Sequence, residues 1–123
     1  VIALLRYPPA LIYMGLLVYF SSLPSNATSG LKPPMDKVLH FGAYGVLAVL
    51  FALWLPTVWK KAHPFFAFLI PFVFTVIFGM TDEWHQSFVP HRDSSWQDLL
   101  ADVLGAFVFL IGYHVVFLRR KSL

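Results

Sequence analysis

Four apolar stretches organise the chain, each bounded by charge, proline or a polar loop. The first covers about residues 8–23. No Asp, Glu, Lys or Arg occurs between Arg6 and Lys32, and Pro8 and Pro9 suit a first helical turn, which needs no amide donor. Its apolar part, Ala10 to Leu23, is a little short for a membrane span, and Leu4 to Tyr7 extend it. Ser25, Asn26, Thr28, Ser29 and Gly30, set between Pro24 and Pro34, read as a loop. The second stretch, 38–59, runs for 22 residues without a charged side chain and ends at Lys60-Lys61. That length crosses a hydrocarbon core of about 30 Å. The third, 62–82, is rich in Phe and interrupted by Pro71. Membrane helices tolerate such a residue when neighbours satisfy the freed carbonyl. The fourth, 98–118, follows Ser95-x-x-Asp98, which resembles a capping box, and is closed by Arg119-Arg120-Lys121. The pattern predicts an all-α fold, a single domain over residues 1–123 built as a four-helix transmembrane bundle.

Composition agrees. The chain is 59% hydrophobic and only 12% charged, against roughly 25% charged in soluble domains, so it lacks the polar surface to cover a soluble globule. The mean hydropathy of +0.71 points the same way. The absence of cysteine excludes disulfides, zinc–thiolate sites and thiol nucleophiles. The apolar N-terminal stretch has no small-x-small cleavage site and reads as a retained span rather than a signal peptide.

Charge then orients the bundle. With four spans, both termini share a side with Lys60-Lys61. That side carries Arg6, Lys60, Lys61, Arg119, Arg120 and Lys121, and the other carries only Lys32, Lys37 and Arg92. Lys and Arg are enriched in cytoplasmic loops, which predicts cytoplasmic termini in a multi-pass protein of the inner membrane. All the acidic residues (Asp36, Asp82, Glu83, Asp93, Asp98 and Asp102) then fall at the outer face. The basic residues read as flanking anchors, and nothing supports nucleic-acid binding.

The candidate chemistry gathers at that outer face. Asp36, His40 and Tyr44 are four residues apart and share one helix face, next to Lys37. Gly79, Asp82 and Gln86 make a second stripe, with Glu83 and His85 beside it, and Asp98, Asp102 and Gly105 make a third. Ala101 and Gly105 form a small-xxx-small pair of the kind that brings helices close in lipid. Ionisable groups inside spans are costly and turn toward the bundle interior or a wet cavity. Three polar stripes at one membrane level therefore predict a shared pocket in which His40, Asp82 and Asp102 converge. Glu83, beside its stripe, is expected to point elsewhere. A carboxylate in an apolar run needs a partner, and Arg92 suits Asp102 through a forked guanidinium–carboxylate pair. Plainer readings stand beside these. His40 can serve only as a hydrogen-bond donor between helices, Asp82 and Glu83 as interfacial carboxylates, and Asp98 as a helix cap. The whole cluster can also be a structural latch.

These residues also carry a resemblance. Asp36-Lys37-x-x-His40-Phe41-x-x-Tyr44, Asp82-Glu83-x-His85-Gln86-x-Phe88-Val89-Pro90-x-Arg92 and Asp98-x-x-x-Asp102-x-x-Gly105 together resemble the VanZ-like membrane family, and Ser21-Ser22-x-Pro24 fits as well. Two positions depart from the family pattern. His91 stands where glycine is common before the arginine, and Asp102 stands where asparagine is frequent. The resemblance implies a bacterial membrane protein of the cell envelope, in a family whose name-giving member is associated with resistance to the glycopeptide antibiotic teicoplanin.

Three functions remain open on the sequence. The first is a binding site for outer-leaflet lipid headgroups or cell-wall precursors. In it Arg92 and Lys37 hold phosphate, while His40, Asp82 and Asp98 orient sugar or amide groups. The second is an accessory subunit of a larger membrane complex, which suits short helices with little mass outside the membrane. The third is a metal-assisted hydrolase using His40, Asp82, His85, Asp98 and Asp102. The chain has no HExxH pair, so neither a metal nor a cofactor is assigned. A channel fits less well, because the acidic groups stop part-way into the spans.

Overall fold

The computed structural model describes residues 2–23, 35–89 and 96–118. A 3₁₀ turn, Ile2–Arg6, leads into α1 (Pro8–Ser21). Next come α2 (Met35–Ala52), the short α3 (Thr57–Ala62), α4 (Pro64–Gln86) and α5 (Trp96–Tyr113), the last of which runs on as a π-helical turn through His114–Leu118. Among the described residues the fold is entirely helical.

Three stretches are long and apolar enough to cross a membrane: α2, α4, and α5 with its π turn. At 1.5 Å per residue, the 14 residues of α1 give about 21 Å, short of a hydrocarbon core of about 30 Å. Its contacts still set its direction. The Ser22 hydroxyl meets the His85 ring at 2.9 Å, and the Tyr7 ring meets that of Trp54 edge-on at 5.6 Å. Ser22 lies beside the end of α4 and Trp54 beyond the end of α2, so α1 runs the length of the bundle.

The second apolar stretch was expected to run unbroken to Trp59, but helix stops at Ala52. Pro56 is the cause, since its ring disfavours helical backbone at Leu55. Leu53, Trp54 and Leu55 turn back onto Val49, Phe51 and Ala52 through their amides. The chain then re-enters helix as α3, with extended Pro56 before its first turn.

Pro71 lies inside α4 without ending it. A proline there leaves the carbonyl four residues earlier without its helical donor, and that carbonyl belongs to Ala67. The His114 ring, from beyond the end of α5, lies beside the Ala67 backbone at this point. The Thr75 hydroxyl donates to the Pro71 carbonyl at 2.8 Å.

Small residues set how closely α2 and α5 approach. A Cβ at Gly105 would strike the Phe41 carbonyl, and one at Gly45 would strike the Phe109 ring. Beneath this contact one buried cluster joins Ala48 and Ala52 to Ala106, Leu110 and Tyr113. A second surrounds Tyr44, Leu47 and Phe51 with Ala10 of α1. With α2 pressed this closely on α5, and α4 packed beside both, the polar residues near their ends are brought to face one another.

Candidate functional site

The end of the bundle that gathers the start of α2, the end of α4 and the start of α5 is built as successive rungs. At the rim, the Lys37 ammonium lies 2.9 Å from the Asp36 carboxylate and also pairs with Asp98. One turn further in, His40 Nδ1 is 2.8 Å from Asp102 Oδ1, and its Nε2 lies 3.9 Å from Asp98 Oδ2. A turn deeper again, the Tyr44 hydroxyl donates to Asp82 Oδ2 at 2.8 Å, and the Gln86 amide donates to the same oxygen at 3.1 Å. The His40 and Tyr44 rings stack nearly parallel, 6.2 Å apart and 7° from coplanar. Four-residue spacing on α2 thus supplies one member of each rung.

Burial decides which of these groups are under strain. Asp102 is 1% exposed and Asp82 is 6% exposed, so neither carboxylate has access to bulk water. Among the described residues, Asp102 Oδ2 and Asp82 Oδ1 have no hydrogen-bond partner. A buried acceptor left unsatisfied costs about 1–3 kcal/mol, and more when charged, so each orphan oxygen marks a place where a donor belongs. Gly79 keeps that place narrow but open. A Cβ there would stand 3.3 Å from Asp102 Oδ2 and 3.5 Å from the Tyr44 ring.

The structure therefore brings Asp36, Lys37, His40, Tyr44, Asp82, Gln86, Asp98 and Asp102 into one end of the bundle. It also draws in Glu83, which had been expected to point elsewhere. One ligand atom each of His40, Glu83 and Asp98 lies within 4.8 Å of the other two. Glu83 follows Asp82 on α4, and the tight α2–α5 pair meets that flank of the helix as well. His85 departs from the group. Its ring lies within hydrogen-bond distance of the Ser22 Oγ and ties α4 to the end of α1. Arg92, the expected partner of Asp102, lies outside the described residues, as do Asp93 and Ser95. The partner found for Asp102 is His40.

This donor and acceptor set has a definite chemistry. Hydrogen-bonded to a carboxylate through Nδ1, the His40 ring is held in orientation and turns Nε2 toward Asp98, with Glu83 close to the same group. Lys37 is engaged by two carboxylates, which argues against its expected use as a phosphate ligand. What the pocket offers is acceptors. It suits hydroxyl or ammonium donors, or a cation, better than an anion.

Sequence reasoning missed one buried charge at the opposite end. Lys60 was grouped with Lys61 as a flanking anchor, yet it is 1% exposed. Its ammonium donates to the Ala52 carbonyl at 2.8 Å and to the Tyr113 hydroxyl at 2.6 Å, and it stands 4.9 Å from the centre of the Tyr113 ring. It thereby caps the end of α2. Burial, helped by the charge of Arg6, pulls its pKa down to about 8. Two adjacent lysines look alike in a sequence, and only the turn at Pro56 aims the first of them inward.

Comparison with known proteins agrees with the motifs. Neither the curated proteins nor the solved structures yielded a match. The family model described as VanZ/LLP1 matches residues 10–118, which include every helix that builds the polar end. A match over that much of the chain, with the acidic and histidine motifs inside it, identifies this membrane protein as a member of the VanZ/LLP1 family.

Proposed function

We propose that the polar end faces outward from the cytoplasmic membrane and binds the headgroup of an outer-leaflet lipid or lipid-linked cell-wall precursor. The two orphan oxygens, Asp82 Oδ1 and Asp102 Oδ2, carry this reading. They are buried acceptors that call for hydroxyl or ammonium donors, which headgroups and precursor sugars supply. Binding, rather than catalysis, is the proposed role. The same reading takes α1 as a fourth crossing and puts both termini in the cytoplasm. The excess of Lys and Arg at the Lys60 end and the direction of α1 support it. A role in glycopeptide resistance is part of the proposal through the family alone.

A second reading has its own observation. His40, Glu83 and Asp98 present an imidazole and two carboxylates close enough to share a divalent ion, with Asp102 holding the imidazole from behind.

One preparation tests both. The full chain is purified in mild detergent, its lipids are identified by mass spectrometry, and its metals are measured by elemental analysis. The first reading expects one headgroup class enriched over the bulk membrane, and its enrichment lost in a folded Asp82→Asn protein. Lipid matching the bulk membrane in both proteins would refute it. Stoichiometric zinc or manganese, lost in Glu83→Gln, would instead favour the second.

A further inference from the structure

The end of the molecule opposite the acidic site holds a cavity of about 600 Å³ between the 3₁₀ turn, the start of α1 and the α2–α3 turn. Leu5, Pro9 and Leu55 give it apolar walls, and Arg6, Thr57 and Lys60 give it polar ones. We propose that this cavity is a second binding site, for a phosphate-bearing anion: the headgroup of an acidic phospholipid or a free phosphate.

Among the described residues, no anion answers the positive charge at this end. Lys60 is buried, and among the described residues its two hydrogen-bond partners, the Ala52 carbonyl and the Tyr113 hydroxyl, are neutral. An ammonium has three N–H donors, so one remains uncommitted. Arg6 forms neither an ion pair nor a side-chain hydrogen bond among the described residues, which leaves the whole guanidinium fork free. The two cations are close enough for Arg6 to disfavour the charge on Lys60. No acidic side chain among the described residues can compensate them. Asp36, Asp82, Glu83, Asp98 and Asp102 all sit at the far ends of α2, α4 and α5.

Two like charges lining one cavity repel each other, and burying one of them is expensive. An anion between them relieves both penalties. Guanidinium and phosphate match in geometry through paired N–H···O bonds, and the ammonium adds a point charge. The apolar walls fit a phospholipid best, with the phosphate held by Arg6 and Lys60 and the glycerol and first acyl carbons lying against the leucines. The site shares no residue with the acidic pocket, so it stands or falls independently.

The test is thermal unfolding of the detergent-purified full chain, wild type against Arg6→Gln. Arg6 has no partner within the described residues and only repels Lys60, so without added anion the variant should fold with a melting temperature equal to or above that of the wild type. In one arm inorganic phosphate is titrated against sodium chloride of equal ionic strength. In the other, phosphatidylglycerol is titrated against phosphatidylcholine in mixed micelles. The wild type should be stabilised by the anion and not by its control, with apparent affinity falling about tenfold in Arg6→Gln, as expected for loss of one bidentate charged contact. A shift with inorganic phosphate assigns the site to the phosphate group alone. A shift with phosphatidylglycerol only assigns it to the lipid. Equal responses of wild type and Arg6→Gln in both arms, or no response in either, would overturn the proposal.

Discussion

Among individual residues, Lys60 shows most plainly how burial alters chemistry. An ordinary lysine releases its proton near 10.5, and this one does so at about 8. The groups facing it are Arg6 from the 3₁₀ turn and Tyr113 and His114 from α5 and its π turn. Between about pH 8 and 10.5 the unfolded chain keeps the Lys60 proton and the folded chain has lost it, so the unfolded state binds more protons. Stability attributable to Lys60 therefore rises with pH through that window and is lowest below it. Melting temperatures from pH 7 to 10.5 should rise more steeply in the wild type than in Lys60→Met, since subtraction of the variant removes other titrations. Parallel curves would mean that the buried ammonium carries no such penalty. Nothing in the sequence separates Lys60 from Lys61. The acidic end was far more legible, because a histidine or carboxylate within an apolar run stands out wherever the chain finally turns it. Asp36, His40 and Tyr44 could be assigned to one face by spacing alone. The His40–Asp102 pair could not, because it depends on how α2 and α5 are staggered.

For the helices, legibility followed length. The α4 and α5 stretches were long enough for hydropathy to identify them, and Ala101 with Gly105 marked the face of α5 that α2 approaches. The end of α2 was misread because charge was taken as the boundary at Lys60, while the covalent restriction at Pro56 acts earlier. Glu83 was misread for a related reason. A helical stripe describes one line of residues, and two helices packed as closely as α2 and α5 meet more of α4 than one line. The α1 helix is the element on which topology turns. Its 14 residues reach about 21 Å, and the five-residue 3₁₀ turn before it adds about 10 Å at 2.0 Å per residue. Together they match a hydrocarbon core of about 30 Å. A crossing α1 puts the N-terminal segment on the side opposite the loop that precedes α2. Single cysteines at Ser29 and Ser94 should label with an impermeant thiol reagent in intact cells, while cysteines at Ala3 and Ser122 stay protected. Labelling at Ala3 together with Ser29 would mean that α1 does not cross.

At the scale of the whole molecule the charges are sorted by end. Carboxylates, His40 and Lys37 crowd one end, and Arg6 with Lys60 occupies the other, with about 27 Å of α2 between them. A bundle this small gains little stability from such an arrangement, since buried ionic groups seldom outperform apolar packing. On the binding proposal a ligand offsets the cost of the acidic end, and the rival explanation is a latch that merely joins α2 to α5. A binding site and a latch respond differently when both charges are removed together. His40→Ala alone leaves the Asp102 carboxylate buried and unpaired, a loss of about 3–5 kcal/mol that would mask any effect on binding. The double variant His40→Gln with Asp102→Asn removes both charges while keeping amide groups able to hydrogen-bond between the helices. The decisive measurement is the amount of the enriched headgroup lipid retained by this double variant, once its melting temperature has been matched to that of the wild type. A binding site predicts recovered stability with the lipid lost. A double variant that regains stability and still retains the lipid would contradict that role and leave the polar cluster as architecture.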